Sequence, residues 1–256
     1  MSWLKTVGFN FFDSAQRIRR IPWYWSQYRS LVNQRDLSGV TWEIEPNHPC
    51  LLDAYAAGGT ASGHYFHQDL LVARRIHGAN PERHVDVGSR IDGFVAHVAV
   101  FRSIEVIDIR PIRVQGHPNI TFKQANLLSI PDELTSYCDS VSCLHALEHF
   151  GLGRYGDPLD IDGYTKGFNS LTQMLRSGGT LYLSVPIGRQ RIEFNAHRIF
   201  SPRTIEGLAS ESLNLTHFSY VDDSGALFEN VGFGSEVVNQ VSTLNYGCGI
   251  FEFVKR

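Results

Sequence analysis

What the sequence lacks removes several classes of function. Its four cysteines, Cys50, Cys138, Cys143 and Cys248, are scattered, and none forms a C-x-x-C pair. Neither a zinc knuckle nor a disulfide framework is indicated, and a reducing, cytoplasmic setting fits best. No stretch reaches about 18 consecutive apolar residues, and the first residues show no compact apolar core ahead of a small-residue cleavage site, so neither a membrane span nor a secretory leader is expected. The pattern G-x-G-x-x-G is missing, as is the lysine of a phosphate-binding P-loop, which weakens dinucleotide and triphosphate readings. Basic residues are scarce outside the N-terminus. Residues 1–35 hold six Lys/Arg against the single acid Asp13; with a net charge of −3 for the whole chain, the remainder carries −8. A nucleic-acid substrate would need a cationic stripe near the active site, because phosphate neutralisation supplies most of that affinity.

What is present reads as one globular domain with an extension. Hydrophobic residues make up 43% and charged residues 19% of the 256, ordinary values for a chain that buries a single sizeable core. Residues 1–35 interleave Trp3, Phe9, Phe11, Phe12, Trp23, Tyr24, Trp25 and Tyr28 with Arg17, Arg19, Arg20 and Arg29. This pattern predicts one or two amphipathic helices broken near Pro22, serving either as a cap on the domain or as a peripheral contact to a membrane or a partner protein. Residues 36–63 are rich in turn formers and predict a connector. The expected division is therefore 1–63, extension and connector, and 64–256, the catalytic domain. From His64 a helix is predicted that ends near Gly78 and Pro81. Beyond it, short apolar strands alternate with helical stretches, the signature of βαβ units and a parallel sheet. The strands are expected at 84–88, 104–108, 119–122, 140–144 and 180–185, and two more, near 215–221 and 249–254, as a terminal antiparallel hairpin.

Three groups of residues carry candidate chemistry. The turn Val85-Asp86-Val87-Gly88-Ser89-Arg90-Ile91-Asp92-Gly93 follows the first strand and leads into a helix, so it brings backbone N–H groups up to a ligand. Asp108 closes the next strand 20 residues after Gly88, where a carboxylate can accept ribose hydroxyls; a helix cap or surface turn before Pro111 is the plainer role. The third group is His145-Ala146-Leu147-Glu148-His149, with His197 downstream. A helix starting there would put residues 145, 148 and 149 on one face. The spacing H-x-x-E-H is also that of inverted zinc proteases, but Gly151, Gly153, Gly156 and Pro158 break any such helix almost at once, and the protease reading is rejected. The loop from Gly151 to Gly167, with Arg154 and Tyr155, is expected to shape an acceptor pocket.

In order and spacing, Asp86-Val87-Gly88, Asp108, Ala125-Asn126-Leu127, Leu147-Glu148-His149 and Ser177-Gly178-Gly179-Thr180 resemble the class I S-adenosylmethionine (SAM)-dependent methyltransferases. The resemblance implies a Rossmann-like, seven-stranded, mostly parallel sheet. It also implies SAM as cofactor, with Gly88 beside its methionine part, Asp108 on the ribose, and Asn126 and Leu127 beside the adenine. Asp86, Ser89, Arg90, Gly93, Ile109 and His145 complete the implied cofactor contacts, Arg90 toward the cofactor carboxylate. One departure from the family loop D-x-G-x-G-x-G is Ser89-Arg90, which delays the next glycine to Gly93. HVDVGSRIDGF, HALEHFGLGRYGDP and GHYFHQDL further resemble a methyltransferase-like family of unknown function, some of whose bacterial members sit near surface-polysaccharide genes. That implies a sugar or other small-molecule acceptor. The third group resembles the E-x-x-E-H of metal-assisted O-methyltransferases, with His145 in place of the first glutamate. Three roles stay open for it: a divalent-metal site of His145, Glu148, His149 and His197; metal-free general-base catalysis by His149 or Glu148 with His197; or a purely structural role. O-methylation of a sugar is the activity expected. An N- or C-methyltransferase of small molecules and a non-catalytic SAM-binding partner of a glycan-assembly enzyme are the rivals.

Overall fold

The computed structural model describes residues 11–111 and 117–256. They fall into two compact units that divide between Thr60 and Ala61. In the first, α1 (Phe11–Ser38) is one continuous helix with Pro22 inside it, so the break expected at Pro22 does not occur. The proline removes a single backbone donor, and the helix continues past it. Arg20 ties the helix to the segment that follows, donating from Nη1 to the Tyr55 hydroxyl at 2.8 Å with its guanidinium 4.0 Å from that ring's centroid. No helix among the described residues is long and apolar enough to cross a membrane.

The second unit opens with α2 (His64–Ala79), which passes through Gly78 and stops at Asn80, left-handed at φ 44°. Strands β1 (His84–Val87), β2 (Ile104–Asp108), β3 (Ile120–Gln124), β4 (Cys138–Leu144) and β5 (Leu175–Ile187) follow. They are joined by a π-helical turn at Ile91–Val95 running into α3 (Ala96–Ala99), and by α4 (Gly163–Met174). A ribbon of β6 (Arg191–Glu193) and β7 (His197–Ile199) precedes α5 (Pro202–Ala209), β8 (Leu213–Val221), β9 (Leu227–Phe228), α6 (Ser235–Val241) and β10 (Gly247–Lys255).

One eight-stranded sheet, in the order β3-β2-β1-β4-β5-β10-β8-β9, forms the core of this unit. The first five strands are parallel. The two strands expected as a terminal hairpin do pair antiparallel, and β10 lies between β5 and β8; the short β9 makes the eighth. Buried residues on the strands serve two layers, as a sheet covered on both faces requires. Ile107, Leu181 and Phe251 pack with Phe168 of α4 and Ile205 of α5. Val106, Tyr182 and Ile250 pack with Val72 of α2 and Val98 of α3. The chain goes to opposite sides of β1, to β2 and to β4. Such a reversal opens a crevice at the carboxyl ends of the strands, the place where doubly wound sheets bind ligands.

Candidate functional site

Gly88 ends β1 in the left-handed region, at φ +72°, and a Cβ there would lie 2.9 Å from the Ala146 Cβ. Both conditions demand glycine, so the floor of the crevice is bare backbone. Asp86 holds this loop from below. Its buried carboxylate accepts the Ser89 N–H at 3.0 Å, the Ser89 hydroxyl at 2.7 Å and the Ser142 hydroxyl at 2.6 Å. Burial nevertheless pushes its pKa up to about 6 against those three bonds. Ser89 Oγ in turn accepts the Leu144 N–H at 3.1 Å. The side chains of Asp86 and Ser89 therefore fasten β1 to β4; Ser89 also lines the larger lobe of the crevice, whereas Asp86 lies beneath it, a correction to the cofactor contact expected of Asp86. Gly93 is also corrected: it does not line the crevice, and a Cβ there would meet Asp69 Oδ2 at 2.8 Å. Its backbone serves packing against α2.

The crevice has two lobes. The smaller, about 590 Å³, is lined by Gly88, Asp108, Ile109, Asn126 and Leu127 with Ala146. These are the residues expected beside ribose and adenine, and the structure brings them together. Asn126 spends its Oδ1 on the Leu128 N–H at 3.0 Å, which leaves its amide N–H groups for a ligand. Asp108 is buried but not idle, because it accepts the Arg110 N–H at 2.8 Å and the guanidinium at 3.0 and 2.7 Å. That guanidinium lies 4.2 Å from the Tyr155 ring centroid. Asp108 keeps unused lone pairs, and the arginine end of the pair is half-exposed, so hydroxyl donors can compete with it.

The larger lobe, about 1420 Å³, is lined by Gly88, Arg90, His145, Glu148, His149 and His197, with Tyr65, Arg154, Tyr155 and Tyr246. Arg90 is at its mouth, paired with Asp92 at 3.1 Å and 5.1 Å from the Tyr65 ring centroid. The expected helix over residues 145–149 is absent. His145 turns left-handed at φ 51°, and only a 3-10 turn, Leu147–His149, follows. The tight turn still gathers the three side chains. His145 Nδ1 lies 2.9 Å from Glu148 Oε1, and His149 Nε2 lies 3.7 Å from the same oxygen.

The electrostatics assign different roles to these groups. Burial opposes charge on His145, but the Cys248 sulfur and the Glu148 carboxylate outweigh it and hold the imidazole well above its ordinary value. Burial alone would raise Glu148, and the adjacent His145 pulls it below the usual carboxylate range instead. The pair is an ion pair inside the protein. His149 and His197 are both pushed down, by burial first, and are neutral near pH 7. The His149 tautomer follows from its partner: Nδ1 sits 2.6 Å from the Ala196 carbonyl oxygen, which can only accept. Nδ1 therefore carries the proton and Nε2 presents a lone pair. His197 is carried in at the start of β7, with its ring centroid 6.4 Å from that of His149. The four-residue metal set His145, Glu148, His149 and His197 does not bring three potential ligand atoms within 4.8 Å of one another. Among the described residues, three potential ligand atoms within 4.8 Å of one another occur at a different place.

Several residues at the site carry no local signal in the sequence. Tyr246 and His64 come from opposite ends of the unit, 5.1 Å apart between ring centroids, and Tyr246 lies as close to His197. Arg198 is buried and donates to the carbonyls of Glu148, Phe150, Asp160 and Ile161, at 2.6 to 3.4 Å. It thereby folds the loop after β4 over the crevice. Gly151 makes that fold possible: it is left-handed at φ +75°, and a Cβ would strike the Asp160 carbonyl oxygen at 2.1 Å.

The family described as "Caenorhabditis protein of unknown function, DUF268" matches residues 120–225, less than half of the chain. No curated protein sequence matches. Solved structures are similar in fold. The [4+2]-cyclase SpnF has a TM-score of 0.54 at 14% identity, over 84% of this chain and 86% of its own. A putative sarcosine dimethylglycine methyltransferase from Galdieria sulphuraria scores 0.51 at 15%, over 73% and 83%. The 1,6-didemethyltoxoflavin-N1-methyltransferase of Burkholderia thailandensis, solved with its substrate and S-adenosylhomocysteine, scores 0.50 at 12%, over 73% and 78%. The chain has the Rossmann-like α/β fold that these methyltransferases and the cyclase share.

Proposed function

We propose that this chain is a SAM-dependent methyltransferase acting on the hydroxyl of a small acceptor, a sugar being the class that fits. The observation that carries the reading is the two-lobed crevice across Gly88, with the slot lined by Asp108, Ile109, Asn126 and Leu127 on one side and a neutral imidazole lone pair on the other. The residues present fit the cofactor. Gly88 leaves space that a Cβ would fill, Asp108 offers lone pairs to ribose hydroxyls, and Ile109 and Leu127 flank the slot beside the Asn126 amide. When bound, SAM supplies an electrophilic methyl group. The chain's own residues position the acceptor and manage one proton. His149 accepts the hydroxyl proton at Nε2 while Ala196 holds its Nδ1–H, and Glu148, 3.7 Å from that nitrogen, stabilises the imidazolium that results. His197 and the tyrosines Tyr155 and Tyr246 give the acceptor polar edges and flat apolar faces. Orienting the two reactants supplies much of the acceleration in such a displacement.

The Arg110 salt bridge on Asp108 and the Ser89-Arg90 loop favour one rival, a SAM-binding partner subunit without transfer. Titration calorimetry with S-adenosylhomocysteine tests the common ground of both. Micromolar binding is expected, and Asp108→Ala should weaken it by about 10-fold or more, since hydrogen bonds to a charged group contribute about 1.5–3 kcal/mol. Wild-type protein that ignores the ligand at millimolar concentration would overturn the proposal. Methyl transfer to a panel of sugars then separates enzyme from subunit.

A further inference from the structure

Three side chains from distant parts of the sequence meet beside the crevice. They are His64 in the first turn of α2, His145 at the end of β4, and Cys248 on β10. One donor atom of each lies within 4.8 Å of the other two. The insertion of β10 between β5 and β8 produces the meeting, because it places Cys248 opposite Pro186 and Val221. The two imidazole rings have their centroids 5.2 Å apart and are stacked nearly parallel, so the half-buried His64 ring must turn before a nitrogen of each ring can aim at one ion. Two imidazoles on one tetrahedral zinc, with Zn–N about 2.0–2.1 Å, have centroids roughly 5 Å apart.

Two of the donors make no short hydrogen bond through the atom they would offer. His145 commits Nδ1 to Glu148, and its Nε2 is buried without any partner. The Cys248 thiol has only long contacts, to Gln68 Oε1 at 3.7 Å and to the Gly249 carbonyl at 3.9 Å. A buried polar nitrogen left unpaired destabilises the fold, and a ligand at that atom would relieve this. We propose that His64, His145 and Cys248 bind one zinc ion, with the fourth position open.

The donor set chooses the metal. A thiolate with two imidazoles suits zinc or cobalt and not magnesium or calcium, and three protein ligands leave one position for water or a substrate atom. Glu148 behind His145 completes the arrangement, since a carboxylate on the far nitrogen fixes the ring and raises its basicity. Metal-bound donors sit roughly 3.3–3.8 Å apart, so the set must close by a small movement, and the half-buried His64 is the member free to rotate. A metal takes Cys248 as thiolate and each imidazole through an unprotonated nitrogen, and any proton displaced goes to solvent while His145 Nδ1 stays on Glu148. Entry is open from the surface, where His64 lines a second cavity with Ser62, Asp222, Asp223 and Tyr246. In this arrangement Glu148 positions a ligand and is not one itself.

Cobalt(II) reads the site directly. The full chain is freed of metal with chelator and titrated with cobalt(II), which should bind one equivalent with a thiolate-to-metal charge-transfer band and tetrahedral d–d bands that zinc bleaches. Cys248→Ser should abolish the charge-transfer band, and His64→Gln should weaken cobalt binding by more than the 10–100-fold expected of Glu148→Gln. His149→Ala should leave the spectrum unchanged. Far-UV dichroism checks each fold, and the exposed-side His64→Gln carries the test if Cys248→Ser does not fold. A wild type that shows no band at stoichiometric cobalt, or a band that survives in both ligand variants, overturns the site. S-adenosylhomocysteine binding measured on the same metal-free protein separates that outcome from failure of the methyltransferase reading.

Discussion

Asp86 is the residue whose cost to the fold is most measurable. Its carboxylate is fully buried and its pKa lies near 6, raised by burial, with Asp69 adding to the rise. A group with a raised folded pKa favours the fold while it is protonated, and that contribution disappears as pH climbs from the unfolded value near 4 to the folded one near 6. A shift of this size corresponds to about 3 kcal/mol. Denaturant melts of wild type and Asp86→Asn between pH 4 and 7 should diverge accordingly, with the wild type losing stability relative to the variant as pH rises; parallel curves would show that the carboxylate is not buried as described. The role itself was not legible in the sequence. An aspartate two residues before a glycine turn reads equally well as a ligand contact or as a staple, and the choice depends on Ser142, a residue of another strand. Gly93 misleads in the same way, because its need for glycine comes from Asp69 on α2. Gly88, Asp108, Asn126 and Leu127 were legible because each sits at, or within three residues of, the carboxyl end of a parallel strand, where the topology leaves little freedom.

At the scale of elements, the inner parallel strands β1, β2 and β4 show themselves because each is a short, mostly apolar run buried on both faces. The order of the antiparallel half does not. Nothing in the composition of β10 says that it inserts beside β5, yet that insertion delivers Tyr246 and Cys248 to the site. The loop after β4 is a second case: a helix is a fair reading of residues 145–149, but the left-handed His145 and the carbonyl clamp of Arg198 impose a single tight turn. Among the described residues Arg198 has no carboxylate partner at hydrogen-bond distance, and burial lowers its pKa; four backbone carbonyls depend on it. Arg198→Leu should therefore lower stability by roughly 3 kcal/mol and reduce turnover, while binding of S-adenosylhomocysteine weakens less, because Gly88, Asp108, Asn126 and Leu127 come from other strands and only Phe150, Tyr155 and Asp157 of the clamped loop reach the slot. A thermal melt and a calorimetric titration on one preparation check both halves, and an unchanged melt would show that the loop holds itself.

For the whole molecule, the open question is what residues 1–60 contribute. Two roles follow from their composition, a cap on the domain or a contact with a membrane surface or partner. The second unit carries its own sheet, and its two buried clusters draw on residues from Leu71 onward, so the apolar material that drives folding lies within 61–256. Within the first unit, Arg20, Tyr55, Tyr28 and Ile44 hold helix and connector together. A chain reduced to residues 61–256 should accordingly stay soluble, unfold in one cooperative step and melt within about 4 °C of the full chain, the shift that about 1 kcal/mol produces in a domain of this size. It should also keep its affinity for S-adenosylhomocysteine, since the residues lining the slot run from Val87 onward. Pelleting of both chains with anionic liposomes then assigns the surface role: binding by the full chain that the shorter one loses places it on the arginines and tryptophans of α1. A shorter chain that aggregates or melts far lower would instead make α1 a cap, with its aromatic residues covering apolar surface that the domain cannot leave exposed.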